Sequence, residues 1–188
     1  MMAETLAGKN VAFLMTDGVE QVEYTSPRDA VTEAGAIATL VSPKSDEVQG
    51  FNHVDKGDAF RVDQPLDVAE PGDFDALVLP GGVVNGDALR IDEKAQAFVR
   101  SFFEQHKPVG VICHGGWILI DAGVISGRTL TSWPTLQTDL RNAGATWVDE
   151  EVHVDEGLVS SRKPDDLPAF SAKLLEEISE GTHAGQTA

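Results

Sequence analysis

The feature that most constrains this chain is a repeated alternation of short, nearly continuous apolar runs with segments of helical spacing. Asn10–Thr16, Ala36–Ser42, Asp75–Pro80 and Val109–Cys113 are such runs. Near-unbroken apolar strands are what a parallel sheet covered on both faces requires. Between them lie helical stretches. Ser26-Pro27-Arg28-Asp29 reads as a cap, a first-turn proline and an acid opening a helix that closes at Gly35. Residues 92–106 place Ala95, Phe98, Val99, Phe102 and Phe103 on one face. Residues 115–122 and 135–143 read as shorter helices, and 165–178 as a final one carrying Leu167, Phe170, Leu174 and Ile178. Short strands are expected at 51–54 and 59–62 about a turn at Lys56-Gly57-Asp58, at 129–133, and at 152–154 and 158–160, with a loop over 63–74. Strands joined through helices imply right-handed parallel crossovers, hence a doubly wound, flavodoxin-like, mostly parallel sheet in a three-layer α/β/α sandwich. The expected organisation is a short extension over 1–8, one domain over 9–180 and a flexible tail over 181–188.

The chain has 188 residues, 14 Lys and Arg against 31 Asp and Glu, and a formal net charge of −17. A charge of that sign disfavours electrostatic attachment to nucleic acid or anionic lipid. No run approaches the ~20 apolar residues that span a bilayer, and the N-terminus lacks a signal-like basic and apolar region. The single cysteine, Cys113, excludes an intramolecular disulfide and suits a reducing compartment. A cytoplasmic setting is therefore expected. His53, His106, His153 and His183 show no metal-ligand spacing, and no phosphate-binding glycine motif occurs, so neither a metal nor a cofactor is expected.

In an open α/β sheet the site lies at the carboxyl ends of the strands. Three loops there have unusual composition: Asp17-Gly-Val-Glu20, Pro80-Gly-Gly-Val83 and Cys113-His-Gly-Gly116. Cys113 sits where a buried strand turns directly into a helix, a place where free amides and partial positive charge favour a thiolate. Of the two glycines of a strand-to-helix nucleophile elbow, Gly115 is present and Val111 replaces the other. The same placement suits a small buried residue ending a strand, and the residues alone leave both readings open. His114 is adjacent, but consecutive side chains seldom face one another. Glu20 and Glu23 both suit a helix start helped by the dipole, and for Glu23 that is the reading taken. Asp87 reads first as a turn residue. Gly81 and Gly82 either present backbone amides or permit a tight turn.

Val19-Glu-Gln-Val-Glu23, Asp75-Ala-Leu-Val-Leu-Pro-Gly-Gly82, Lys107-Pro-Val-Gly-Val-Ile-Cys-His-Gly115 and Ala122-Gly-Val-Ile-Ser-Gly-Arg128 together resemble the DJ-1/PfpI superfamily, within the class I glutamine-amidotransferase-like fold. The likeness is closest to its PfpI-like peptidase and general stress protein branch. It implies Cys113 as nucleophile, paired with Glu20 after the first strand, with His114 as base. It implies an oxyanion region formed by Gly81, Gly82 and the His114 amide. Peptidase-like members complete a triad with a glutamate from a neighbouring subunit, and the matching position here is Asp87, one methylene shorter. The resemblance further implies self-association as a homodimer or hexamer. It implies a stress-protective activity on small electrophiles or damaged proteins, of glyoxalase or deglycase type. A cysteine peptidase, or a non-catalytic redox sensor and holdase, are its alternatives.

Overall fold

A computed structural model describes residues 5–188. The strands are β1 Asn10–Leu14, β2 Val19–Glu20, β3 Ile37–Ser42, β4 Glu47–Asn52, β5 Asp55–Arg61, β6 Gln64–Pro65, β7 Ala76–Leu79, β8 Val109–Ile112, β9 Thr129–Leu130, β10 Thr146–Trp147, β11 Val152–Asp155 and β12 Leu158–Ser161. The helices are α1 Gln21–Glu33, α2 Val83–Arg90, α3 Glu93–Glu104, α4 Trp117–Asp121, α5 Gln137–Asn142 and α6 Leu167–Glu180. Seven strands form one sheet in the order β11-β12-β8-β7-β1-β3-β6. Only the β11–β12 pair in it is antiparallel. This is the flavodoxin-like α/β fold. Strand order reverses between β1 and β7, and in such sheets a ligand crevice opens beyond the strands' carboxyl ends near that point.

Side-chain alternation divides the core in two. Ala12, Leu14, Leu77, Leu79, Val109 and Val111 face α3, α4 and α5, packing on Phe98, Phe102, Leu119 and Leu140. Val11, Phe13, Ala76, Val78 and Ile112 face α1 and α6, packing on Val31, Phe170 and Leu174. Both faces of each central strand are thus covered, which explains the unbroken apolar runs. Asp92 caps α3, its carboxylate accepting from the amides of Lys94 and Ala95.

Several expectations are corrected. The first helix starts at Gln21, and Pro27 lies inside it rather than at its start. The hairpin of β4 and β5 turns at His53-Val54 instead of at Lys56-Gly57-Asp58. A helix not expected from the sequence, α2, follows the Gly81-Gly82 pair and includes Asp87. The tail beyond Gly181 packs against the body: Gln186 is buried, its Nε2 donates to the Lys107 carbonyl at 2.6 Å, and Arg128 donates to the Thr187 carbonyl at 2.7 Å. In the N-terminal extension Leu6 is buried and its amide donates to the Ala34 carbonyl, while residues 1–4 lie outside the described residues.

Candidate active site

The three loops singled out by composition converge on one cavity of about 920 Å³. Asp17, Gly18 and Glu20 line it after β1, Gly82, Val83 and Val84 after β7, and Cys113 and His114 after β8. Trp117, Trp133, Phe51, His53 and Val54 supply further wall. Asn85 ties the first two loops together. It is fully buried, donates to the carbonyls of Pro80 and Gly81, and accepts from the Thr16 amide at 2.7 Å.

Cys113 directly follows β8 and lies in the left-handed region, at φ 61°. A non-glycine residue there is strained, and such strain collects at sharp turns that aim a side chain. Gly115 makes the turn possible, since a Cβ on it would lie 2.4 Å from the Leu79 carbonyl oxygen. The elbow has a consequence that adjacency alone argued against. The Cys113 sulfur lies 3.2 Å from His114 Nδ1, so the two consecutive side chains do meet. The His114 ring is held between Trp117 and Trp133, with centroids 5.1 and 5.8 Å away. Burial pushes its pKa down, so at neutral pH the imidazole is uncharged.

The carboxyl beside the sulfur belongs to Glu23, and not to Glu20. Glu23 is fully buried, hydrogen-bonds Cys113, and accepts from the Gly81 amide at 2.9 Å. The reason is the earlier helix start. With α1 beginning at Gln21, Glu20 is its N-cap residue and Glu23 falls in its first turn, on the face turned to the sheet. Glu20 instead sits at the cavity mouth, where its carboxylate accepts from the His53 amide of the hairpin turn at 3.1 Å.

Glu23 and Cys113 are electrostatically linked. Burial pushes the Glu23 carboxyl up to about 8; the nearby Glu20 charge adds to this, while hydrogen bonds with Cys113 and Gly81 oppose it. Burial, and then the charge of Glu23, push the Cys113 thiol up as well, against the Gly82 and His114 amides that hydrogen-bond the sulfur. With both groups pushed up, the pair keeps its protons at neutral pH, and the sulfur can ionise only while Glu23 stays protonated. Glu23 Oε1 is buried without a hydrogen-bond partner, which disfavours a carboxylate there. A protonated Glu23 facing a sulfur that already receives two amide hydrogen bonds is the arrangement that best accommodates a thiolate.

The expected oxyanion donors separate into two kinds. The amides of Gly82 and His114 face the sulfur, whereas that of Gly81 is committed to Glu23. Gly82 adopts φ 94°, and a Cβ on it would fall 2.2 Å from the Gly18 carbonyl oxygen. Asp87 is exposed on α2 and is not part of the cavity wall. Among the described residues no carboxylate hydrogen-bonds the His114 ring. Glu177, Glu180 and His183 are the described residues whose ligand atoms come close enough to hold a metal, and they lie near the opposite end of β8, where His183 donates to the His106 carbonyl. Sequence reasoning missed Glu23, Asn85 and the two tryptophans. For Glu23 a signal existed in its three-residue spacing from Glu20.

A parallel α/β sandwich with a strained cysteine at the end of a central strand, a buried carboxyl beside its sulfur and amides directed at it defines a class of cysteine-centred sites. The chain belongs to the DJ-1/PfpI family, whose model matches residues 9–177. It is 44% identical over 170 residues to "Protein/nucleic acid deglycase 2" of Escherichia coli (strain K12), covering 89% of this chain and 96% of that protein. It is 40% identical over 168 residues to "Putative cysteine protease YraA" of Bacillus subtilis (strain 168), with the same 89% and 96% coverage. Among solved structures, Drosophila melanogaster DJ-1beta superposes with a TM-score of 0.82 at 27% identity, covering 91% of this chain and 90% of that one. Among the described residues no helix is long and apolar enough to cross a membrane.

Proposed function

We propose that this protein is a cofactor-independent hydrolase of glyoxalase or deglycase type, with Cys113 as nucleophile and Glu23 and His114 as its proton carriers. The observation that carries the reading is the Cys113 elbow, which holds a sulfur against Glu23, His114 Nδ1 and two backbone amides at the base of a largely apolar cavity. A thiolate there adds to the aldehyde carbon of a 2-oxoaldehyde such as methylglyoxal, giving a hemithioacetal whose oxygen takes up a proton from Glu23. Moving the proton on that carbon to its neighbour, by way of Glu23 or His114, converts the hemithioacetal into a thioester of a 2-hydroxy acid. Water then releases the acid and restores the thiol. The sum is methylglyoxal plus water to lactate, with no external oxidant or reductant. A carbonyl adduct on a protein side chain enters the same sequence with the amine, guanidine or thiol as leaving group. The names of the deglycase relatives agree with this reading.

The test is lactate formation from methylglyoxal with the metal-free protein. Wild type should form it, Cys113→Ala and Glu23→Ala should not, and equal formation by wild type and Cys113→Ala refutes the proposal. Self-association belongs to this reading too. Val83, Val84 and Ile91 leave apolar side chains exposed on and just after α2, beside Asp87. A dimer or hexamer is the expected mass by light scattering, and a monomer at micromolar concentration counts against it.

A further inference from the structure

Glu20, displaced from the catalytic pair, stands at the cavity mouth with its side chain 12% exposed. Around it the wall is apolar or uncharged: Phe51, Val54, Val83, Val84, Trp117 and Trp133. Among the described residues lining the cavity there is no lysine or arginine. Its other carboxylates are already answered. Asp17 is held by Lys44 at 2.8 Å and by the Gln49 amide, and Glu23 lies sealed behind the sulfur. The cations that touch or adjoin the wall are themselves tied, Arg90 to Asp121 at 2.8 Å and Lys163 to Asp165 at 3.1 Å. Lys56, on the hairpin between Asp55 and Asp58 in sequence, is not part of the wall. Glu20 is fixed in place by the amide of His53, which lies at φ 57° in the hairpin turn and whose exposed ring holds its Nδ1 3.8 Å from the carboxylate. The carboxylate therefore faces any molecule on its way to Cys113, at an apolar rim where screening is weaker than in open water.

We propose that Glu20 is a charge selector: the site admits neutral and cationic substrates, such as carbonyl adducts carried on basic side chains, and rejects anionic ones. The substrate class rests on the hydrolase reading above, but the selection itself concerns access to Cys113 and can be read without turnover. Because Cys113 is the chain's only cysteine, modification reports on this site alone. The probes are two methanethiosulfonates of similar size, one ending in trimethylammonium and one in sulfonate. In each reaction the thiolate displaces methanesulfinate, forming a mixed disulfide at Cys113, which mass spectrometry follows.

Rates are divided by those of 2-mercaptoethanol with the same reagents. Wild type should favour the cation. Glu20→Gln, whose amide oxygen can still accept from His53, should slow the cation and speed the anion by roughly fivefold each, as expected for one charge about 8 Å away in a medium intermediate between protein and water. Glu33→Gln, an exposed acid of α1 outside the cavity wall, removes the same charge from the molecule and should leave the ratio unchanged. Raising salt from ~0.02 to ~0.5 M should compress the wild-type ratio. A wild-type ratio at or below one, or the same ratio in Glu20→Gln, overturns the proposal. A second arm compares turnover of the methylglyoxal hemithioacetals of cysteamine and 3-mercaptopropionate. Selective labelling with neither adduct turned over would refute the hydrolase reading and leave the selector standing, whereas equal turnover of both overturns selection of substrate.

Discussion

Glu23→Gln is the perturbation that most directly probes the buried pair. The substitution keeps the side chain's shape, and its amide oxygen can still accept from Gly81, but it removes a titrating group. In the unfolded chain Glu23 releases its proton near 4.5, while in the folded protein it holds it to about 8. Between those values the folded state binds more protons than the unfolded state, so stability falls as pH rises. Below pH 4.5 the group is protonated in both states and contributes nothing to the pH dependence. Above it the loss grows by about 1.4 kcal/mol per pH unit, reaching about 3 kcal/mol at pH 7, and levels off beyond pH 8. Glutamine carries no such loss. Urea unfolding of wild type and Glu23→Gln at half-unit steps from pH 4 to 8.5 therefore should show the variant gaining relative to wild type across this window. With a slope near 2 kcal/mol per molar urea, the midpoint difference at pH 7 should exceed that at pH 4.5 by about 1.5 M. Repeating the pair of titrations in a Cys113→Ala background removes the sulfur's own ionisation. A difference that stays flat from pH 5 to 8 in both backgrounds would mean that Glu23 ionises as it does in water, and the raised carboxyl would have to be abandoned.

The same pair should govern reactivity. Toward neutral iodoacetamide, Glu23→Gln should alter both the rate and the pH profile of Cys113 alkylation, whereas Glu20→Gln should leave most of the rate in place; the opposite pattern would restore Glu20 as the partner. Asn85→Ala leaves the Pro80 and Gly81 carbonyls and the Thr16 amide without their partner, and should cost about 2–4 kcal/mol in chemical denaturation. Gly82→Ala forces a Cβ against the Gly18 carbonyl at φ 94°, and should destabilise by about 3 kcal/mol while slowing alkylation, because the Gly82 amide would no longer be aimed at sulfur. Deleting residues 182–188 strips Lys107 and Arg128 of hydrogen-bond partners, and should lower the melting temperature by several degrees with alkylation of Cys113 unchanged.

The sheet was legible because its signal is redundant. Val11, Phe13, Ala12 and Leu14 must be apolar on two faces at once, and a run of that kind has few other uses in a chain of this composition. The position of Cys113 was legible for a related reason, since a strand that runs into Cys-His-Gly leaves the sulfur little choice of position. The choice between Glu20 and Glu23 was not, because it depends on a helix boundary. Pro27 advertises a helix start, and reading it so puts Glu20 and Glu23 ahead of the first turn, where the dipole suits both alike and nothing sets their directions apart. A proline inside a helix lacks the amide that its fourth predecessor's carbonyl would accept from, and that predecessor is Glu23. The first turn of α1 thus forgoes a backbone hydrogen bond at the residue whose side chain carries the buried carboxyl. Local propensity points to the wrong boundary because tertiary packing on Tyr24, Pro27 and Val31, all buried against the sheet, outweighs that one lost bond. The six-residue shift turns Glu23 toward the sulfur and leaves Glu20 at the mouth. Two acids three residues apart then meet opposite environments, one sealed from water beside the sulfur and the other at the entrance, so that the first is placed to hold a proton and the second to meet an incoming molecule.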